Sequence, residues 1–133
     1  MKKNTSLFDN TGRTALITGG AGLLGIEHAK ALLNTNADVI ITDVNKDNLT
    51  KASESLAKSF SKPKIKTFIM DVSSESSVSK VSKEISDLGV RVDILINNAA
   101  INPGANSLQG SIRATRLENF SLEQWNREMS VGI

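Results

Sequence analysis

The sequence TALITGGAGLLG, residues 14–25, decides the fold. Its first five residues form an apolar run that predicts a buried strand, and a helical pattern begins directly after the glycines. Gly20, Gly22 and Gly25 stand in the spacing G-x-G-x-x-G. In that spacing one glycine permits a sharp turn, a second lets the backbone approach a pyrophosphate, and a third lets helix and strand pack closely. The stretch therefore predicts a strand–turn–helix unit whose helix N–H groups face an anion.

Further along the chain, short apolar runs alternate with helical patterns. The predicted strands cover residues 14–18, 39–42, 67–70 and 93–96, helices follow the first three, and another helix begins at residue 121. The strands are continuously apolar, which is typical of a parallel sheet covered on both faces. The order β-α-β-α-β-α-β predicts an α/β fold with a doubly wound parallel sheet, a Rossmann fold that ends after about four strands.

Local signals mark the helix ends. Asn45 or Asp47 can cap the second helix, and Ser73 or Ser74 can cap the third. Ser121 begins a sequence, Ser-Leu-Glu-Gln, that predicts a capping box. The buried stripe predicted for the third helix consists of Val78, Val81, Ile85 and Leu88.

Composition excludes several classes of protein. The chain has 133 residues, a net charge of +2 and no cysteine, which excludes disulfides, thiolate metal sites and a cysteine nucleophile. The charge is too small and scattered to indicate nucleic-acid binding. The basic start is not followed by an apolar segment, and no segment is long enough to span a bilayer. We therefore expect one cytoplasmic domain without a metal site, a nucleic-acid partner or a membrane partner.

Asp43 ends the second predicted strand, where an acid can accept hydrogen bonds from the hydroxyls of an adenosine ribose. The same carboxylate would repel a 2′-phosphate. Neither Val44 nor Ala21 is basic, and Lys46 is the only cation close in sequence. The sequence thus predicts NAD rather than NADP as the cofactor, although an aspartate in this place can also simply end a strand.

Two further groups of residues end strands at the same edge of the predicted sheet. Asp71 and Val72 follow the third strand, and Asn98, Ala99 and Ala100 follow the fourth. Ligands of open α/β sheets bind at the carboxyl ends of the strands. A carboxylate beside an adenine amino group and small residues beside a ribose would suit a flat nucleotide.

Together these residues resemble the short-chain dehydrogenase/reductase family, over nearly the whole chain from Arg13 onward. Three motifs carry the likeness: Thr18-Gly19 with the glycine turn, Asp71-Val72, and the run DILINNAA at residues 93–100. The resemblance implies an oxidoreductase that moves a hydride between a nicotinamide cofactor and an alcohol or carbonyl substrate. The implied cofactor contacts are Gly19, Gly22, Leu23, Leu24 and Gly25 for the pyrophosphate, Asp43 for the ribose, Asp71 and Val72 for the adenine, and Asn98 with Ala99 and Ala100 beside them. Asn97 is implied to tie the sheet together.

The family's catalytic residues are a serine and a Tyr-x-x-x-Lys pair on later elements, and the 133 residues contain no tyrosine. The resemblance therefore implies that residues 1–133 are the dinucleotide-binding part of one Rossmann-type domain, without catalytic residues and inactive alone. The full-length form is expected to be a homo-oligomer. Arg113 and Arg116 lie on a long irregular connection, where they could grip an anionic substrate but more simply form a solvated pair.

Two other interpretations stay open. Classical members carry a glycine where this chain has Leu23, and the present spacing resembles the extended, sugar-nucleotide-modifying branch, such as epimerases and dehydratases. Residues 17–25 and 98–103 together also resemble the bacterial flagellin modification protein A group, which implies a sugar-derived substrate. The other open interpretation, besides the extended branch, is a non-catalytic dinucleotide-binding module.

Overall fold

The computed structural model describes residues 7–60, 64–101 and 120–132. The chain forms two compact units, Met1–Asn98 and Ala99–Ile133. The first unit contains the strands β1 (Thr14–Thr18), β2 (Asp38–Asp43), β3 (Ile65–Ile69) and β4 (Ile94–Ile96), with the helices α1 (Leu23–Asn34), α2 (Lys46–Ser59) and α3 (Glu75–Asp87) between them. The second unit contributes α4 (Leu122–Gly132).

The four strands form one sheet in the order β3-β2-β1-β4, and every neighbouring pair is parallel. This confirms the predicted α/β fold. Among the described strands β4 pairs only with β1, so its other edge has no strand beside it. None of the described helices is both long and apolar enough to cross a membrane.

The core lies on both faces of β2, because successive residues of a strand point to opposite sides. Ile41 joins a cluster with Leu33 of α1 and Leu56 of α2, whereas Ile40 joins a second cluster with Ile85 of α3. Ile40, Ile41 and Leu56 are completely or almost completely buried. Each such side chain contributes roughly 1.5–3 kcal/mol on burial. The sheet is therefore doubly wound, as the alternation of elements predicts.

Three of the predicted caps are confirmed. The Asn45 side chain accepts a hydrogen bond from the N–H of Asn48 at 3.0 Å, and Ser74 accepts one from the N–H of Ser77 at 3.3 Å. Ser121 accepts from the N–H of Gln124 at 3.1 Å. The reciprocal half of the predicted capping box does not form, because the Gln124 side chain donates to Glu128 instead.

The prediction for α3 is wrong at both ends of its stripe. Val81 and Ile85 are buried, but Val78 is 38% exposed and Leu88 is 58% exposed. Only the central turns of α3 pack on the second core cluster, so periodicity alone overestimates the buried length. No residue of β3 or β4 is fully buried, in contrast to β1 and β2, because β3 and β4 are the outer strands of the described sheet.

The third strand begins two residues before its predicted start. Ile65 pairs with Val39, and the carbonyl of Lys64 accepts a hydrogen bond from the N–H of Val39 at 2.9 Å. The polar residue Lys66 interrupts the apolar pattern, so the sequence hides this part of the strand. Backbone pairing with β2, which does not depend on side-chain hydropathy, determines the boundary.

Candidate functional site

The glycine turn lies between the carboxyl end of β1 and the start of α1. Gly19 has φ of 60°, a left-handed conformation that glycine adopts without steric cost. The N–H of Gly20 donates to the carbonyl of Thr42 at 2.8 Å, which fastens the turn to β2. The N–H of Gly22 donates to the carbonyl of Gly19 at 3.1 Å and closes the turn on itself.

Two glycines of the turn permit close packing, but not with the partners that the sequence suggests. A Cβ at Gly20 would lie 2.7 Å from Cβ of Ile41, so this glycine allows the turn to contact β2. A Cβ at Gly25 would collide with the carbonyl oxygen of Gly19 and lie 2.6 Å from Cα of Gly20. The third glycine therefore packs α1 against the turn itself rather than against a strand.

The start of α1 presents free backbone donors. Gly22 occupies the N-cap position and supplies no side-chain cap, and the first turn of the helix contains no acidic residue. Among the described residues, the N–H groups of Leu23, Leu24 and Gly25 have no hydrogen-bond partner. Such groups, together with the helix dipole, favour an anion. The contact of these groups with a pyrophosphate stays a prediction.

Asp43 ends β2 beside this turn, as expected from the sequence. One carboxylate oxygen, Oδ2, accepts a hydrogen bond from the N–H of Ala21 at 3.3 Å. The other, Oδ1, accepts from the N–H of Asn45 at 3.1 Å. The next residue, Val44, is 65% exposed and carries no charge. The carboxylate thus lies beside the glycine turn, and its contact with a ribose stays a prediction.

Asp71 lies just beyond β3, the strand that neighbours β2. The N–H of Ser73 donates to its Oδ1 at 2.9 Å and the Ser73 hydroxyl donates to the same atom at 2.6 Å. Both hydrogen bonds hold the pKa of Asp71 below its usual value, and the bond from the hydroxyl has the larger effect. Asp71 is therefore an ionised acceptor at this edge, and Val72 beside it packs against the second core cluster.

Asn98, at the end of the first unit, binds the turn directly. Its backbone N–H donates to Oγ1 of Thr18 at 3.0 Å, and its side-chain amide donates to the carbonyls of Thr18 and Gly19 at 3.0 and 3.1 Å. The family resemblance implied that Asn97 ties the sheet together, but Asn97 is exposed and Asn98 makes these bonds, while the implied cofactor contact of Asn98 stays a prediction. Both asparagines directly follow β4 in sequence, so only the geometry shows which of them reaches the turn.

The structure thus brings most predicted residues of the first unit together. Gly19 and Gly22 to Gly25 form the turn and helix start, and Asp43 and Asn98 bond to the turn from either side. Asp71 and Val72 follow β3. Just before them, the N–H of Met70 donates to the carbonyl of Asp43 at 3.0 Å and so joins this segment to the end of β2.

The remaining predicted residues lie elsewhere in the chain. Ala99 and Ala100 follow Asn98 and belong to the second unit, and their contact with a cofactor stays a prediction. Arg113 and Arg116 lie outside the described residues.

A separate cavity of about 690 Å³ opens at the amino ends of the strands. Its lining includes two ion pairs, Lys64 with Asp38 and Arg91 with Asp93. Ligands of open α/β sheets bind at the opposite, carboxyl edge. We therefore assign the site to the glycine turn and not to this cavity.

Comparison with known proteins agrees with this geometry. The family model for short chain dehydrogenases matches residues 13–133. A short chain dehydrogenase/reductase of Gibberella zeae is 40% identical over 129 residues, which are 97% of this chain and 43% of that protein. A short-chain dehydrogenase structure from Novosphingobium aromaticivorans is 31% identical with a TM-score of 0.78, over 92% of this chain and 41% of that one.

A further solved structure is a gluconate 5-dehydrogenase from Burkholderia cenocepacia in complex with NADP and tartrate. It is 27% identical, with a TM-score of 0.75, over 96% of this chain and 45% of that one. The chain thus spans less than half the length of these three relatives. The finer resemblance to flagellin modification proteins stays a prediction.

Proposed function

Because the chain belongs to the short-chain dehydrogenase/reductase family, we propose that it is the dinucleotide-binding half of an NAD-dependent oxidoreductase. One observation carries the proposal. The unpartnered N–H groups at the start of α1 stand next to the Asp43 carboxylate, which bonds to the same glycine turn. This combination suits a pyrophosphate flanked by a ribose.

Each part of the site has a defined task in this proposal. The N–H groups of Leu23, Leu24 and Gly25 bind and orient the pyrophosphate, Asp43 accepts from the adenosine ribose, and Asp71 accepts from the adenine amino group. When bound, the nicotinamide would accept a hydride from an alcohol or donate one to a carbonyl. The chain has no tyrosine for the proton transfer, so we propose that residues beyond these 133 complete the reaction.

The preference for NAD rests on Asp43 and Val44. A 2′-phosphate beside the Asp43 carboxylate would meet a like charge, which costs several kcal/mol when no cation compensates it. Val44, the exposed neighbour, supplies no such cation. The Burkholderia relative was solved in complex with NADP, so the preference of this protein must be measured directly.

The test removes the negative charge at residue 43 and adds a positive charge at residue 44. In the intact gene product that carries this chain, dissociation constants for NAD and NADP are measured for the wild type and for Asp43→Ala/Val44→Arg. We expect the preference for NAD to fall by about tenfold or more, since each 1.4 kcal/mol changes affinity by that factor. Asp47→Ala/Val44→Arg is the matched control, because Asp47 is an exposed acid of α2. An unchanged preference in the Asp43 variant would show that the assignment is wrong.

For the whole protein we propose an alcohol or carbonyl substrate derived from a sugar, because the Burkholderia relative is a gluconate dehydrogenase. A homo-oligomeric, cytoplasmic enzyme is the accompanying expectation. The second candidate function is a sugar-nucleotide epimerase or dehydratase that recycles its NAD, which Leu23 in the turn favours. Net NADH production from a polyol would support the dehydrogenase, whereas turnover without net NADH would support the epimerase. Binding of NAD without any turnover would indicate a non-catalytic module.

A further inference from the structure

The Asp43 side chain is engaged by the protein before any ligand arrives. Its two oxygens accept hydrogen bonds from two different loops, Oδ2 from the N–H of Ala21 and Oδ1 from the N–H of Asn45. Ala21 is the central residue of the glycine turn, and Asn45 caps α2. The bond to Asn45 is local, whereas the bond to Ala21 joins segments that lie 22 positions apart in sequence.

The bond to Ala21 acts where the turn has few other attachments. The N–H of Gly20 is held by β2, and Gly19 is held by the Asn98 amide. Ala21 and Gly22 lie between these attachments and the first helical residue, Leu23. Among the bonds of the described residues, the Asp43 carboxylate is the only side chain that accepts from this last part of the turn.

We propose that Asp43 is a positioning residue for the pyrophosphate cradle, in addition to its expected contact with the ribose. By fixing the N–H of Ala21, the carboxylate sets the direction in which the chain enters α1. It thereby directs the free N–H groups of the helix toward one point. The ligand part of this inference rests on the proposed function, but the effect on the turn does not.

The two roles are compatible on one carboxylate. Each carboxylate oxygen can accept more than one hydrogen bond, so Oδ2 can keep the Ala21 N–H while a ribose hydroxyl approaches. Substitution of Asp43 then weakens two subsites at once. A variant designed to switch the cofactor, such as Asp43→Ala/Val44→Arg, should bind NADP less tightly than the wild type binds NAD.

The first test measures the turn without any nucleotide. Hydrogen–deuterium exchange of the segment 18–26 is compared in the wild type, Asp43→Ala, Asp43→Asn and Asp71→Ala. Asp71 is the control, because its carboxylate lies at the same edge and accepts from Ser73 rather than from the turn. We expect exchange about fivefold faster in Asp43→Ala, a smaller increase in Asp43→Asn, and none in Asp71→Ala.

The segment 49–56 of α2 serves as an internal reference in the same experiment. Faster exchange there as well would mean that Asp43 acts through global stability, which would refute a specific positioning role. Unchanged exchange of the turn in both Asp43 variants would also refute it. The milder Asp43→Asn variant keeps one acceptor oxygen and guards against misfolding of Asp43→Ala.

The second test distinguishes the effect of Asp43 on the glycine turn from its contact with the ribose. Affinity is measured for NAD and for its analogue with 2′,3′-dideoxyadenosine, which lacks the hydroxyls that Asp43 would accept from. If Asp43 acts only through the ribose, Asp43→Ala leaves the affinity for the analogue unchanged. If it positions the turn, the variant binds the analogue about fivefold more weakly. A wild type that binds neither nucleotide would overturn the proposed function, while the exchange experiment would still decide the positioning role.

Discussion

Replacing Gly25 by alanine tests the packing of α1 against the glycine turn. The added methyl would collide with the carbonyl oxygen of Gly19 and lie 2.6 Å from Cα of Gly20. Ordinary van der Waals contacts of a Cβ begin at 3.4 Å, so the two backbones must separate by nearly 1 Å. No flexible side chain can yield at this point, because both contacted atoms belong to the backbone.

The expected cost follows from two opposing terms. Overpacking costs typically about 1–3 kcal/mol, and a backbone–backbone collision belongs at the upper end of that range. Alanine is favoured over glycine inside a helix by about 1 kcal/mol, which offsets part of the cost. We therefore expect Gly25→Ala to lower the free energy of unfolding by about 2 kcal/mol.

Urea unfolding followed by far-ultraviolet circular dichroism measures this difference. With a slope of about 2 kcal/mol per molar urea, the midpoint should fall by about 1 M. Gly132→Ala is the control, since Gly132 is also a helical glycine. Apart from its chain neighbours and its own helix backbone, no atom of the described residues lies within 4 Å of the place that its added methyl would occupy. The control should leave the midpoint unchanged or raise it slightly. A Gly25→Ala midpoint equal to that of the wild type would refute the packing argument.

Substitutions at two further residues test hydrogen bonds at the site. Asn98→Ala removes the donors to the carbonyls of Thr18 and Gly19, so we expect it to lower the free energy of unfolding by about 1–3 kcal/mol, and Asn98→Asp to lower it more. Equal urea midpoints for the wild type and Asn98→Ala would contradict this. The pKa of Asp71 lies below its usual 3.8, so its bonds to Ser73 stabilise the fold above pH 3.8, and that contribution is lost as the pH falls through the lowered pKa. Ser73→Ala should therefore lower the unfolding midpoint at about pH 6 and differ less from the wild type at about pH 3; a difference of equal size at both values would disprove the link.

Much of the local structure could be predicted because its signals are short-range. The turn residues of 14–25, the Asn45 and Ser74 caps, and the switch from strand to helix periodicity all depend on neighbours within a few positions. The family motifs likewise locate the residues that follow β1, β3 and β4. The parallel order of the sheet then follows from the alternation of strands and helices, because a crossover helix returns each strand in the same direction.

Only the tertiary structure decided which distant groups share hydrogen bonds. Asn98 and Asp43 form hydrogen bonds with the glycine turn, from which they are far away in sequence. Residue 25 must be a glycine because the chain turns back on itself and brings the backbone of Gly19 and Gly20 against it. The early start of β3 and the exposed ends of the α3 stripe have the same origin. A sequence pattern reports what a residue prefers, whereas burial and hydrogen bonding depend on which backbone lies beside it, and that is fixed only when the strands assemble.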